Sequence, residues 1–154
     1  MGQELHLDNL SQQERADIYF SAARLSKGKN KNVSPSNRLT DQVIRWLDSV
    51  GGAGRRVNTQ GQFDSAKGIW RKSGMKRGFE DVDGIYPFVL NGFKIGIKLA
   101  IEIKIGKDKL SDDQKERKAE VEKCGGIYII SKDIEQTIAE VDLKIKNIVS
   151  ELTK

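Results

Sequence analysis

The dipeptide Asn91-Gly92 constrains the fold more than any other feature of the sequence, because it separates two apolar runs. A two-residue hairpin turn needs positive φ angles, which asparagine and glycine tolerate best. The flanking runs, EDVDGIYPFVL and FKIGIKLAIEIKI, are rich in β-branched and aromatic residues that favour strands. We therefore predict an antiparallel hairpin in which Leu90 faces Phe93 and opposed residue numbers sum to 183.

This register sets two carboxylates against each other. Asp81 faces Glu102 with an expected Cβ separation of about 4.5–5.5 Å, where like charges are destabilising unless a cation neutralises them. Carboxylates are hard oxygen ligands for Mg²⁺ or Mn²⁺. Since Pro87 cannot donate to the ladder, we expect a bulge beside it, and Asp83 is the alternative carboxylate if the bulge shifts the register.

Period-two alternation divides the second strand of the hairpin into two faces. Leu99, Ile101 and Ile103 are expected to point into the core, whereas Glu102 and Lys104 are expected to line a cleft without being buried. A lysine beside two carboxylates can orient or help deprotonate a water and can offset charge on a phosphoryl transition state. The sequence therefore predicts a metal site with a lysine beside it.

The remaining elements predict an α/β fold with a central mixed sheet flanked by helices. Apolar periodicity predicts helices at 8–26 and 37–49, another after the capping residue Ser111, and a last one with an apolar seam from Ile134 to Leu152. The seam suits packing on the sheet or on a partner. GGIYIIS reads as a short buried strand. Residues 1–35 are predicted to form a helical extension with a basic linker, and residues 36–154 the α/β domain.

The densest positive charge lies between residues 55 and 77, where seven basic residues accompany one acid. We predict that these residues contact nucleic-acid phosphates, with Trp70 as a possible stacking residue for an unpaired base. A merely solvated surface is the alternative. The seven are Arg55, Arg56, Lys67, Arg71, Lys72, Lys76 and Arg77.

Composition excludes several other classes of site. The single cysteine, Cys124, rules out a disulfide framework or a thiolate metal cage within one chain. The single histidine, His6, rules out a nuclease site built on histidines. The net charge of +5 favours a polyanionic partner. Because the N-terminus lacks an apolar signal segment and no run approaches membrane-span length, we expect a cytoplasmic protein without a membrane partner.

An ordered series of short motifs resembles the PD-(D/E)XK nucleases, and within them the VRR-NUC (virus-type replication-repair nuclease) domain. The series consists of GFED at 78–81, IEIK at 101–104, Gln114 and then GGIYIIS, preceded by RRVNTQG at 55–61. The resemblance implies a restriction-endonuclease-like core that hydrolyses DNA phosphodiesters with Mg²⁺ or Mn²⁺. It also implies that Asp81, Glu102 and the Ile103 carbonyl bind metal, that Lys104 is catalytic and that Gln114 supports the site.

The chain departs from this family pattern at one position. The family usually has a glutamate near the start of the helix before the Arg-x-Asn strand, and here Ser36 or Asn37 takes that place, with Asp41 the nearest acid. Because stand-alone domains of the resembled family act on branched or flap DNA and often as dimers, the leading interpretation is a structure-selective endonuclease for branched, flap or junction DNA, with a homodimer as the expected assembly. A non-catalytic DNA-binding module on the same fold is the alternative, and a protein-interaction domain that docks through the C-terminal seam is the third.

Overall fold

A computed structural model describes Glu14 and residues 33–58 and 61–154. Apart from Glu14, the predicted helix at 8–26 lies outside the described residues, as does most of the basic linker. We number the elements of the described region from α1, in chain order. They are α1 Pro35–Ser49, β1 Ala53–Arg56, β2 Gln62–Asp64, β3 Ile69–Arg71, β4 Val82–Leu90, β5 Phe93–Ile103, α2 Asp112–Lys123, β6 Ile127–Ser131 and α3 Ile134–Leu152.

The predicted hairpin is confirmed. β4 and β5 pair antiparallel around Asn91-Gly92, in the register that sums to 183, from Leu90 with Phe93 to Val82 with Ile101. The prediction of a bulge beside Pro87 is wrong, because Pro87 pairs in register with Gly96. Among the described strands, the pairing of β1 with β4 reaches only Ile85. At Pro87, β4 therefore pairs with β5 alone, and proline is tolerated at such an edge position.

The α/β class and the central mixed sheet are also confirmed. The sheet has four strands in the order β1-β4-β5-β6, with β1 and β5 antiparallel to β4 and with β6 parallel to β5. Helices α1 and α3 contribute to the main hydrophobic core against one face, where Trp46, Ile101 and Val141 are fully or almost fully buried. The C-terminal seam therefore packs largely within the protein itself.

Helix α1 begins at Pro35, two residues before the predicted start, and ends at Ser49 as predicted. Ser34 accepts a hydrogen bond from the Asn37 amide, and Pro35 occupies the first turn, where its missing N–H costs nothing. Val50 caps the C-terminal end and Gly51 follows with a φ of +77°, a conformation that favours glycine. These two ends fix the position at which the N-terminal turn of α1 meets the sheet.

Helix α2 covers the opposite face of the sheet, and this corrects one expectation. Glu102 and Lys104 do not line an open cleft, since only 3% of Glu102 and 6% of Lys104 is exposed. β5 and β6 are parallel, so the chain between them must cross over the sheet, and α2 is that crossover. Its Val121 packs with Ala100 and Tyr128, so this end of β5 is buried on both faces.

A second, smaller hairpin was not predicted. β2 and β3 follow β1 and precede β4 along the chain, and they pair antiparallel as a separate two-stranded sheet. The Asp64 side chain accepts hydrogen bonds from the Ala66 and Lys67 amides, and Gly68 has a φ of +63°. An aspartate that starts a turn and a glycine that ends it are a recognisable signal, although each strand has only three residues.

Within the part of the chain that the structure describes, every helix is too short or too polar to cross a bilayer.

Candidate active site

Asp81 lies at the start of β4, where the main chains of three segments converge. Its carboxylate accepts a hydrogen bond from the Ile103 amide at 2.8 Å, and its carbonyl accepts one from the Val57 amide at 2.9 Å. The side chain thus joins the end of the β5 ladder. The Asp81 carboxylate is held beside Glu102 by backbone contacts rather than by a flexible loop.

A cleft of about 380 Å³ opens in front of Asp81. One wall comes from the N-terminal turns of α1 and the other from the residues at and after the end of β1. Arg56 crosses between these walls, since its guanidinium hydrogen-bonds Asn37 and lies 3.6 Å from Asp41. The lining residues are Ser36, Asn37, Thr40, Arg56, Val57, Asn58, Asp81 and Ile103.

The Glu102 carboxylate has two very different oxygens. Oε1 accepts one hydrogen bond from the Gln114 side-chain amide and lies 3.1 Å from the Lys104 ammonium. Oε2 is buried and has no hydrogen-bond partner among the described residues. A buried carboxylate oxygen without a partner is costly, so this atom marks a position where a cation or a donor would be stabilised.

Burial and, to a lesser extent, the neighbouring charge of Asp81 together raise the pKa of Glu102 to about 7, against the opposing effect of Lys104. Near neutral pH the carboxyl group is therefore divided between its protonated and ionised forms. A bound cation would favour the ionised form. Such a shift from desolvation and a like charge is common at functional sites.

Lys104 is buried and paired with acids on two sides. Its ammonium lies 3.1 Å from Glu102 and 3.4 Å from Asp108. Burial alone would lower the pKa of Lys104, but the hydrogen bonds and negative charges of Glu102 and Asp108 raise it above its ordinary value. In this arrangement Lys104 is a cation and a hydrogen-bond donor rather than a base.

Gln114 joins the first turn of α2 to the site through both ends of its amide. The carbonyl oxygen accepts from the Ser111 amide at 2.9 Å, completing a capping box in which Ser111 accepts from the Gln114 amide. The amide nitrogen donates to Glu102. The cap that starts the helix thus orients the side chain that holds Glu102, and the Gln114 predicted from the sequence does reach the site.

Sequence reasoning missed a second acidic centre, next to the first. Glu80 is fully buried, with Lys98 at 2.6 Å and Arg117 at 3.0 Å. Burial alone would raise the pKa of Glu80, but the hydrogen bonds from Arg117 and Lys98 hold it below its ordinary value. The available signal was the spacing of Gln114, Arg117 and Val121 on α2, which places the three on one helix face.

Tyr128 on β6 was also missed as a site residue. Its ring is 1% exposed, and its hydroxyl has no hydrogen-bond partner among the described residues. Tyr128 pairs with Ala100 in the β5–β6 ladder, so it shares the face of Glu102. Burial raises the pKa of Tyr128, as do the charges of the nearby acids.

The predicted basic residues lie on the surface, but not all are equally available. Each of the seven is exposed. Arg71 pairs with Asp64 at 2.6 Å and Lys76 with Glu120 at 2.9 Å. In the described residues Lys67, Lys72 and Arg77 form no such ion pair, so no neighbouring carboxylate competes with a phosphate for these three cations.

The residues present fit a hard divalent cation. Asp81, Glu102 and the Ile103 main chain meet at the end of β5, and the partnerless Oε2 gives an oxygen that such an ion would accept. In the described ranges no group of three or more His, Cys, Asp or Glu side chains is arranged as a metal cage. A cation here would therefore complete its shell with waters or substrate oxygens, as Mg²⁺ commonly does.

No protein-family model, curated protein or solved structure matches the chain.

Proposed function

We propose that the protein is a metal-dependent endonuclease that hydrolyses DNA phosphodiesters, with branched, flap or junction DNA as its preferred substrates. The observation that carries the proposal is the buried Oε2 of Glu102, which has no hydrogen-bond partner among the described residues, while Oε1 of the same carboxylate lies 3.1 Å from the Lys104 ammonium. Burial of this oxygen is energetically unfavourable unless a cation coordinates it. The resemblance to PD-(D/E)XK nucleases supports the same reading.

Asp81, Glu102 and the Ile103 carbonyl would hold Mg²⁺ or Mn²⁺. Such an ion, when bound, lowers the pKa of a coordinated water and stabilises charge that develops on a phosphate. The chain contributes the orientation of its ligands: the Ile103 amide holds Asp81, and Gln114 holds Glu102. Both contacts come from regular secondary structure, which keeps the ligands preorganised.

Lys104 supplies a positive charge to the reacting phosphate. Because its pKa is raised, its ammonium stays protonated while it donates to a non-bridging oxygen or to the attacking water. Buried donors of this kind are worth more than exposed ones, since little water screens them. The exposed basic residues of the 55–77 segment position the DNA backbone through its phosphates.

The proposal is tested by incubating the full chain with plasmid, flap and four-way-junction DNA in Mg²⁺, Mn²⁺ or EDTA. Glu102→Gln and Lys104→Met are each expected to lower the cleavage rate by at least about 100-fold. Lys94→Met is the matched control, because Lys94 is an exposed lysine on the same strand. Cleavage that persists in both site variants, or in EDTA, would overturn the site assignment.

A second candidate function is a non-catalytic DNA-binding module. It is favoured by the α1 wall of the cleft, where the lining residues are Ser36, Asn37 and Thr40 and where the resembled family carries a glutamate. Salt-sensitive DNA binding without cleavage by the wild-type protein, in either metal, would establish this alternative. Light scattering of the same samples measures whether the active species is a dimer.

A further inference from the structure

The β2–β3 hairpin carries two exposed aromatic rings side by side. Trp70 is 72% exposed and Phe63 54% exposed, and their ring centroids lie 5.7 Å apart at an interplanar angle of 57°. They are directly paired across the two strands. An aromatic pair of this size left in solvent commonly marks a binding surface.

The chain segment that carries this hairpin starts and ends at the candidate active site. Val57 and Asp81, which are hydrogen-bonded to each other, both line the cleft, and the whole hairpin is inserted between them. β2 starts at Gln62, five residues after Val57, which limits its distance from the cleft to about 17 Å. On the other side Lys76 is held by Glu120 of α2 at 2.9 Å.

The charges around the rings indicate what kind of partner they suit. Lys67 lies in the turn between β2 and β3, and Lys72 directly follows β3. Both are exposed and form no ion pair within the described ranges. Cations beside exposed aromatic faces are the combination that binds unpaired nucleic acid, since the lysines meet phosphates while the rings meet bases. An apolar protein partner would not require this positive charge.

We propose that Phe63 and Trp70 form a stacking site for an unpaired nucleobase of the strand whose backbone enters the cleft. Bases inside a duplex already stack on each other, whereas an unpaired base offers a free π face. The hairpin would thus select DNA that has unpaired nucleotides next to the cleavage point. This inference rests on the nucleic-acid partner of the proposed function but not on its catalysis.

The test measures binding of the full chain in EDTA by fluorescence anisotropy. The probes are a labelled oligothymidine of about 12 nucleotides, an abasic strand of the same length and a blunt duplex. Trp70→Leu, which keeps an apolar partner for Phe63 but no π face, is expected to weaken oligothymidine binding about tenfold. Its affinity for the abasic strand and for the duplex is expected to stay at the wild-type value.

Two further variants separate stacking from other effects. Trp70→Tyr is expected to keep most of the affinity, because it retains an aromatic face. Phe93→Leu removes an equally exposed ring, 74% accessible, at the β4–β5 turn, and is expected to bind all three probes as the wild type does. A circular-dichroism spectrum of each variant checks that its fold is intact.

Several results would overturn the inference. They are equal wild-type affinity for the abasic strand and for oligothymidine, an equal loss on all probes in Trp70→Leu, or unchanged oligothymidine binding in that variant. If the wild type is a dimer in light scattering, and Trp70→Leu binds DNA unchanged but is no longer a dimer, the rings form a protein interface instead. Tight stacking without cleavage would reject the catalytic proposal alone, whereas cleavage with unchanged binding in Trp70→Leu would reject the stacking site alone.

Discussion

Two glutamates lie buried near the end of the same sheet, and their surroundings differ in one respect. Glu80 has a cation on each side, Lys98 and Arg117, and its pKa lies below the ordinary value. One oxygen of Glu102 contacts the Lys104 ammonium and the Gln114 amide, whereas the other has no hydrogen-bond partner among the described residues. The pKa of Glu102 is about 7. Glu80 thus belongs to a closed structural ion cluster, whereas Glu102 is incomplete as it stands.

Under the proposed function, Glu80 serves the structure and Glu102 serves a ligand. Buried ion pairs are stable only when every charge is matched, and removal of one partner is then strongly destabilising. An acid left with an unmatched oxygen costs stability in the free protein and regains it when a ligand binds. Four measurements test this difference between Glu80 and Glu102.

The largest expected effect is loss of the structural cluster. Glu80→Gln is expected to lower the free energy of unfolding by about 3 kcal/mol, since it leaves Lys98 and Arg117 without their shared acid. The low end of the usual range applies because both cations are partly exposed. Urea denaturation at pH 7 measures it, with Asp83→Asn, the exposed partner of Lys98, as a control that changes stability by less than about 1 kcal/mol.

Glu102→Gln is expected to change how stability depends on pH. The folded-state pKa of Glu102 is raised from 4.5 to about 7, so the folded protein binds more protons than the unfolded one between these values. Stability from this group is therefore complete below pH 4.5 and is lost as the pH rises through 7, by up to about 3 kcal/mol. Glu102→Gln removes this titration but also leaves Lys104 with Asp108 as its remaining acid among the described residues, so the expected result is relative: the variant should gain stability over wild type between pH 4.5 and 8. An unchanged difference in stability between the two proteins over this pH range would contradict the raised pKa.

Metal binding is expected to stabilise the wild-type protein by a smaller amount. At a free Mg²⁺ or Mn²⁺ concentration ten times the Kd, the gain is about 1.4 kcal/mol, measured as a rise in Tm at pH 8 that EDTA reverses. The rise should fade as the pH falls below 7, because protonated Glu102 cannot ligate. Glu102→Gln should show no rise. An equal rise in that variant would place the ion elsewhere.

The smallest effect is expected at Tyr128. Because its buried hydroxyl has no partner among the described residues, Tyr128→Phe should raise the free energy of unfolding by about 1 kcal/mol. Tyr86→Phe is the matched control, since the Tyr86 hydroxyl donates to Asp142 at 3.2 Å and its loss should cost about 1 kcal/mol. Both are measured by urea denaturation, and a destabilised Tyr128→Phe would mean that the hydroxyl is engaged.

The sequence was sufficient for local structure and for the register of the main hairpin. Asn91-Gly92 determined the pairing of β4 with β5, because a two-residue turn leaves no freedom in which residues face each other. Ser111 marked the start of α2 through its cap. The residues brought together at the end of β5 follow from this register and from the cap that orients Gln114.

Only the tertiary structure decided that Glu102 and Lys104 are buried. Alternation along β5 gives a polar face, but whether that face meets water depends on the path of the chain after the strand. β6 returns parallel to β5, and the required crossover lays α2 on the polar face. Burial by a distant element, which no local pattern encodes, is what raises the pKa of Glu102 and leaves its Oε2 unmatched.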